Sequence, residues 1–152
     1  MSLYLLNPDA VVLCEAEGKD DVLRRLAGLF ADSYGLEQDT VLEALEERER
    51  LGSTGFGRSI AIPHARLKGV NRPLAAMLRL ADPIDFAAAD GMPVELVFGL
   101  LSPVQAGASH LQALAAISRL VRDDATQEAL LAAPDADALY GLLTNMTDRT
   151  AA

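Results

Sequence analysis

Residues 94–101 read Val-Glu-Leu-Val-Phe-Gly-Leu-Leu, apolar at both odd and even positions, and Ser102-Pro103 closes the run. A strand with one face in water alternates polar and apolar residues. A run this continuous predicts a central strand covered on both faces. Each face then needs its own apolar layer, and the remaining sequence offers helices for both.

Residues 19–34 place Val22, Leu23, Leu26, Leu29 and Phe30 at helical spacing. Asp20 and Asp21 suit that helix's N-terminus and Gly35 its C-terminal stop. Asp39 or Thr40 is expected to cap a second helix, with Val41, Leu42 and Leu45 on its inner face. That helix runs out in the charged string 46–50 and stops at Gly52. Three more helical patterns cover residues 110–121, 124–133 and 135–145. Short apolar runs at 11–14, 59–63 and 74–80 read as strands, the second ended by Pro63 and the third by Asp82-Pro83. Strands interleaved with helices predict an α/β layered sandwich, a central β-sheet flanked by helices. The sheet is expected to be mixed, because some connections are too short for parallel crossovers. The 152 residues predict one domain over 1–147 and a tail over 148–152.

Charge is unevenly spread. The chain carries formal net charge −9, yet residues 51–80 contain no Asp or Glu and hold Arg58, Arg66, Lys68, Arg72 and Arg79. An acidic chain with a local cationic island argues against a general nucleic-acid binder and for a site that handles an anion. The single cysteine, Cys14, fits a reducing compartment and is expected to be a small buried hydrophobe. No leader is expected, since the first residues lack a basic, then apolar pattern, and the longest apolar runs fall short of the roughly 20 residues a membrane span needs. A cytoplasmic protein without membrane insertion is expected. Two histidines and one cysteine do not make an obvious structural zinc set. No Gly-x-Ser-x-Gly elbow and no close carboxylate pair is recognisable. Neither a metal nor a cofactor is expected.

Residues 48–66 concentrate the candidate chemistry. His64 follows Pro63 and is expected at a strand's end, where sheet proteins place ligand sites. The competing reading is a structural histidine satisfied by a backbone carbonyl. In Gly52-Ser-Thr-Gly-Phe-Gly57, glycines could bring backbone N–H groups to an anion. The order of residues matches no nucleotide loop. A plain turn is the competing reading, with Ser53 and Thr54 as turn hydroxyls. Arg48 has the planar fork that suits a phosphoryl group, while Glu46 and Glu47 read as solvated charges. His110 opens an amphipathic pattern, where a helix N-terminus favours neutral imidazole; its residues alone favour an exposed first-turn position.

Taken together, Arg48-Glu49, Gly-Ser-Thr-Gly-Phe-Gly and Ile-Ala-Ile-Pro-His64 resemble the active-site signature of enzyme IIA domains of the bacterial phosphoenolpyruvate:sugar phosphotransferase system. The likeness is to the fructose/mannitol class, and within it to the nitrogen-regulatory branch. Asp82 to Val94 resembles the family's hairpin region, and His110-Leu-Gln-Ala-Leu-Ala its second-histidine helix. Ser59 and Ala65 stand where the family often has glycine. The resemblance implies His64 as phosphoryl acceptor, with His110 and Arg48 as partners. Ser53, Thr54, Gly55 and Gly57 are the candidate phosphate-binding residues. It also implies an HPr-type phosphocarrier as donor. Two functions then compete. In one, phosphorylation switches binding to regulatory target proteins; in the other, phosphate passes to a separate enzyme IIB for fructose/mannitol-type uptake. Neither enzyme IIB nor a membrane component is expected on a chain of one domain, which favours regulation. A third reading, a degenerate domain that no longer takes phosphate, is disfavoured by the intact Arg48, His64 and His110.

Overall fold

The computed structural model describes residues 3–151, with side chains described through residue 145. The tail expected over 148–152 lies outside the described side chains. In chain order the elements are β1 (Leu5–Cys14), α1 (Lys19–Tyr34), α2 (Gln38–Arg50), β2 (Gly55–Gly57), β3 (Ile60–Ala61), β4 (His64–Leu67), β5 (Leu74–Ile84), β6 (Val94–Pro103), α3 (Ala108–Arg122), α4 (Asp124–Ala132) and α5 (Ala136–Ala151). The sheet runs β1-β5-β6-β3-β2, and β4 also pairs with β6. It is mixed, as expected: β5 is antiparallel to β6, while β1–β5, β3–β6 and β4–β6 are parallel.

The apolar run at β6 lies in the middle of the sheet and feeds both cores. Val97 and Leu101 pack into the layer under α1 and α2. Leu96, Phe98 and Leu100 pack into the layer under α3, α4 and α5. The period-2 alternation of a strand therefore sends apolar side chains both ways. Gly99 sits between Val97 and Leu101, where a Cβ would fall 2.8 Å from Leu26 Cδ2 and 3.0 Å from Phe30 Cε2. Its missing side chain lets α1 seat close against the sheet.

α1 has the predicted bounds, and Gly35 ends it at φ 70° with its N–H bonded to Ala31 O at 2.9 Å. An alanine there would be forced into the left-handed region. Gly35→Ala is expected to lower unfolding stability by about 1 kcal/mol in urea titrations, without changing the fold. The start of α2 differs from expectation. Glu37 holds the N-cap position in extended conformation, and Asp39 and Thr40 lie inside the helix. Thr40 Oγ1 instead donates to Glu37 Oε1 at 3.1 Å.

Strand β1 begins earlier than the apolar run at 11–14, with a register shift between Leu6 and Val11 that accommodates Pro8. Cys14 is half-buried rather than buried, and desolvation raises its thiol pKa above the ordinary value. Among the described residues no helix is long and apolar enough to cross a membrane.

The strand expected at 59–63 does not end at Pro63. Ile60 pairs with Leu96, Ala61 with Val97, and then His64 with Leu100 and Ala65 with Leu101. The offset stays constant across the gap, so β3 and β4 are one line along β6. Pro63 has no N–H to give, which breaks the ladder, yet its carbonyl still accepts from Leu100 N at 3.0 Å. His64 therefore opens a strand instead of closing one.

Candidate functional site

β4 borders β6 where α2 ends and α3 begins. An open cavity of about 410 Å³ forms there, lined by Ala44, Glu47, Arg48, Leu51, His64, Ala65, Arg66 and His110. Three chain segments thus bring Arg48, His64 and His110 together. The imidazole rings lie 5.7 Å apart, centroid to centroid, at 46°.

His64 is half-buried, and its Nδ1 lies 2.7 Å from Ile62 O. A carbonyl oxygen only accepts, so Nδ1 carries the proton and Nε2 keeps its lone pair. Arg48 Nε donates to that Nε2 at 3.3 Å. Desolvation is the main cause that lowers the His64 pKa below its ordinary value, and the Arg48 charge adds to it. The Ile62 bond and Glu49 act the other way. At neutral pH the ring is uncharged, with the Nε2 lone pair presented beside a guanidinium.

Arg48 is anchored by a second bond, from Nη1 to Gly52 O at 2.9 Å. Its neighbour Glu49 closes the loop between them. Thr54 N donates to Glu49 Oε1 and Oε2 at 3.0 and 3.1 Å, and Thr54 Oγ1 donates to Oε2. Lys19 Nζ pairs with Oε1 at 2.8 Å, and the Glu49 side chain is only 6% exposed. A carboxylate this enclosed is stable only with such partners.

The four residues expected to bind phosphate are used elsewhere. Ser53 Oγ donates to Phe86 O at 2.7 Å and accepts from Gly55 N at 3.0 Å. The Thr54 hydroxyl is bound to Glu49. A Cβ on Gly55 would meet Ala88 Cα at 2.8 Å, and Gly57 lies against Asp90. None of the four lines the cavity. The Gly-rich stretch packs against the 86–90 segment, and its Gly55–Gly57 part is strand β2 rather than the plain turn expected.

His110 corrects an expectation. It is buried at 6% exposure, not a solvated first-turn residue. Its Nδ1 lies 2.6 Å from Ser102 Oγ. Desolvation, then Arg66 and His64, push its pKa down to about 4. The folded ring resists protonation that the unfolded ring accepts below pH 6.5, so between these values the unfolded state binds more protons. The stability contributed by His110 therefore falls as pH drops from about 6.5 to about 4 and levels off below. The His110 contribution to that loss is expected to be on the order of 2–3 kcal/mol. Urea titrations of wild type and His110→Asn across that range measure it as a difference, since the variant lacks this slope.

Of the five basic residues in the acid-free segment, Arg66 lines the cavity. Arg58 pairs with Asp124, and Arg79 Nη1 donates to Leu130 O and Ala133 O at the end of α4. The sequence reading placed Arg66 only within the cationic segment and Glu49 only within the signature, and it gave Ser102 no part in the site. One signal was present for Arg66: two residues after His64 in a strand, it must face the same side.

Residues 4–146 match the family described as "Phosphoenolpyruvate-dependent sugar phosphotransferase system, EIIA 2". The chain is 42% identical over 140 residues to a nitrogen regulatory protein of Bradyrhizobium diazoefficiens, covering 91% of this chain and 92% of that one. It is 36% identical over 131 residues to a fructose-specific EIIA component of Haloferax volcanii, covering 86% and 85%. The crystal structure of nitrogen regulatory protein IIA-Ntr from Neisseria meningitidis superposes with a TM-score of 0.84 at 34% identity, covering 91% of this chain and 95% of that one.

Proposed function

Because the chain belongs to the EIIA type 2 family of the phosphoenolpyruvate-dependent sugar phosphotransferase system, we propose that it accepts a phosphoryl group on His64 Nε2 from an HPr-type phosphocarrier and signals through that modification. The observation that carries this reading is the Nδ1–H bond to Ile62 O, which leaves Nε2 unprotonated at a cavity holding two guanidiniums. The Nε2 lone pair attacks phosphorus, and an N–P bond forms. The donor's P–N bond breaks, and its electron pair stays with the donor nitrogen. No proton has to leave His64. Such a transfer depends on positioning and charge neutralisation, which Arg48, Arg66 and His110 supply.

The modification offsets the local positive charge. Arg48 and Arg66 face one carboxylate, Glu47, in the cavity. A phosphoryl group brings negative charge and three strong acceptor oxygens, and the ring proton kept on Nδ1 balances part of that charge. A partner surface fitted to the free cavity will not fit the modified one. The likeness to a nitrogen regulatory protein supports regulation as the use of that switch. Incubation with enzyme I, an HPr-type carrier and labelled phosphoenolpyruvate is expected to give a base-stable, acid-labile label on this chain. A chain that stays unlabelled while the carrier is labelled contradicts the proposal.

The likeness to a fructose-specific component keeps a second reading open, transfer onward to a separate enzyme IIB. Adding a fructose-type enzyme IIB to the labelled protein separates the two. Rapid loss of label to that protein supports transport, and retained label supports regulation.

A further inference from the structure

Ser102 is fully buried near the end of β6, and among the described residues its hydroxyl has one hydrogen-bond partner, His110 Nδ1 at 2.6 Å. That contact can be made in two ways. If the ring's Nδ1–H donated to Oγ, the hydroxyl proton would be left buried without an acceptor. An unsatisfied buried donor costs about 1–3 kcal/mol. If the hydroxyl donates to Nδ1, both groups are satisfied. The neutral ring then carries its single proton on Nε2, and among the described residues no acceptor takes that N–H.

We infer that Ser102 is a positioning residue that sets the tautomer of His110, so that His110 presents an Nε2–H donor to the phosphoryl group on His64. The inference rests on His64 as the phosphoryl acceptor. Phosphoryl oxygens only accept hydrogen bonds, so a neutral His110 serves them with a protonated Nε2 and not with a lone pair. The two rings of the site thus need opposite tautomers. A carbonyl, which cannot donate, holds the proton on Nδ1 of His64. A hydroxyl, which can donate, keeps the proton off Nδ1 of His110. Arg66 sits directly across the ladder from Ser102 and disfavours a second proton on His110.

Long-range ¹H–¹⁵N spectra of the unmodified protein at pH 7 read the tautomers directly. The expected result is Nε2–H on His110 and Nδ1–H on His64. Nδ1–H on His110 overturns the inference. This readout needs no phosphorylation, so it survives a failure of the proposed function. If labelling succeeds, Ser102→Ala is expected to slow phosphoryl acceptance about tenfold at saturating carrier, with KM little changed. Ser102→Thr, which keeps the hydroxyl, is expected to restore most of the rate. Equal rates in wild type and Ser102→Ala, with His110 still in the Nε2–H form, overturn the role. A failure of Ser102→Thr to exceed Ser102→Ala overturns it as well.

Discussion

His64→Ala is expected to reduce phosphoryl labelling to background, with the fold retained. Among the described residues, the substitution removes the one imidazole nitrogen that offers the cavity an unprotonated lone pair. His110 cannot replace it, because its Nδ1 is engaged by Ser102 and its Nε2 is protonated in the inferred tautomer. The structural cost is small. His64 is half-buried, and the lost bond to Ile62 O is worth about 0.5–1.5 kcal/mol. A folded but unlabelled variant, checked by circular dichroism and urea midpoint, is therefore the predicted pair of observations. Label retained at wild-type level would move the acceptor elsewhere.

Arg48→Ala is expected to slow acceptance by about 10²–10³-fold, the scale for loss of one preorganised charge-stabilising donor, or about 3–4 kcal/mol. In the resting site Arg48 Nε already donates to His64 Nε2, the proposed acceptor atom, and Nη1 is held by Gly52 O. When the phosphoryl group arrives at Nε2, the guanidinium exchanges the nitrogen for phosphoryl oxygens, which carry more charge. Little reorganisation is needed. Arg48→Lys is expected to recover only part of the loss, because an ammonium cannot bond Gly52 O and two phosphoryl oxygens with the same planar geometry. Rapid-quench rates with the phosphorylated carrier separate the variants. An Arg48→Ala rate within threefold of wild type would exclude this role.

Much of this could be read in the sequence where one physical cause acts alone. The β6 run is apolar on both parities because both faces are covered, and Ser102-Pro103 bounds it at strand length. Gly35 marked the end of α1 because only a left-handed residue fits there. The readings that missed involve one residue type serving two physical needs. Proline signals the end of a strand because it lacks a donor, but Pro63 still accepts, and β4 resumes in register. Missing that continuation also hid Arg66, which shares a strand face with His64. Glycine serves both an anion cradle and a close backbone contact. Gly55 and Gly57 serve the contact, against a segment more than 30 residues away. His110 looked exposed because its sequence neighbours do not bury it. Its polar contact comes from Ser102, and the Arg66 charge acts on it from an adjacent strand.

The central claim is the chemistry of one nitrogen. The direct test is a long-range ¹H–¹⁵N and ³¹P spectrum of the chain after labelling by the carrier. The account predicts phosphorus bonded to Nε2 of His64, with Nδ1 still protonated and bonded to Ile62 O. Phosphorus on Nδ1 of His64, or on His110, would contradict it.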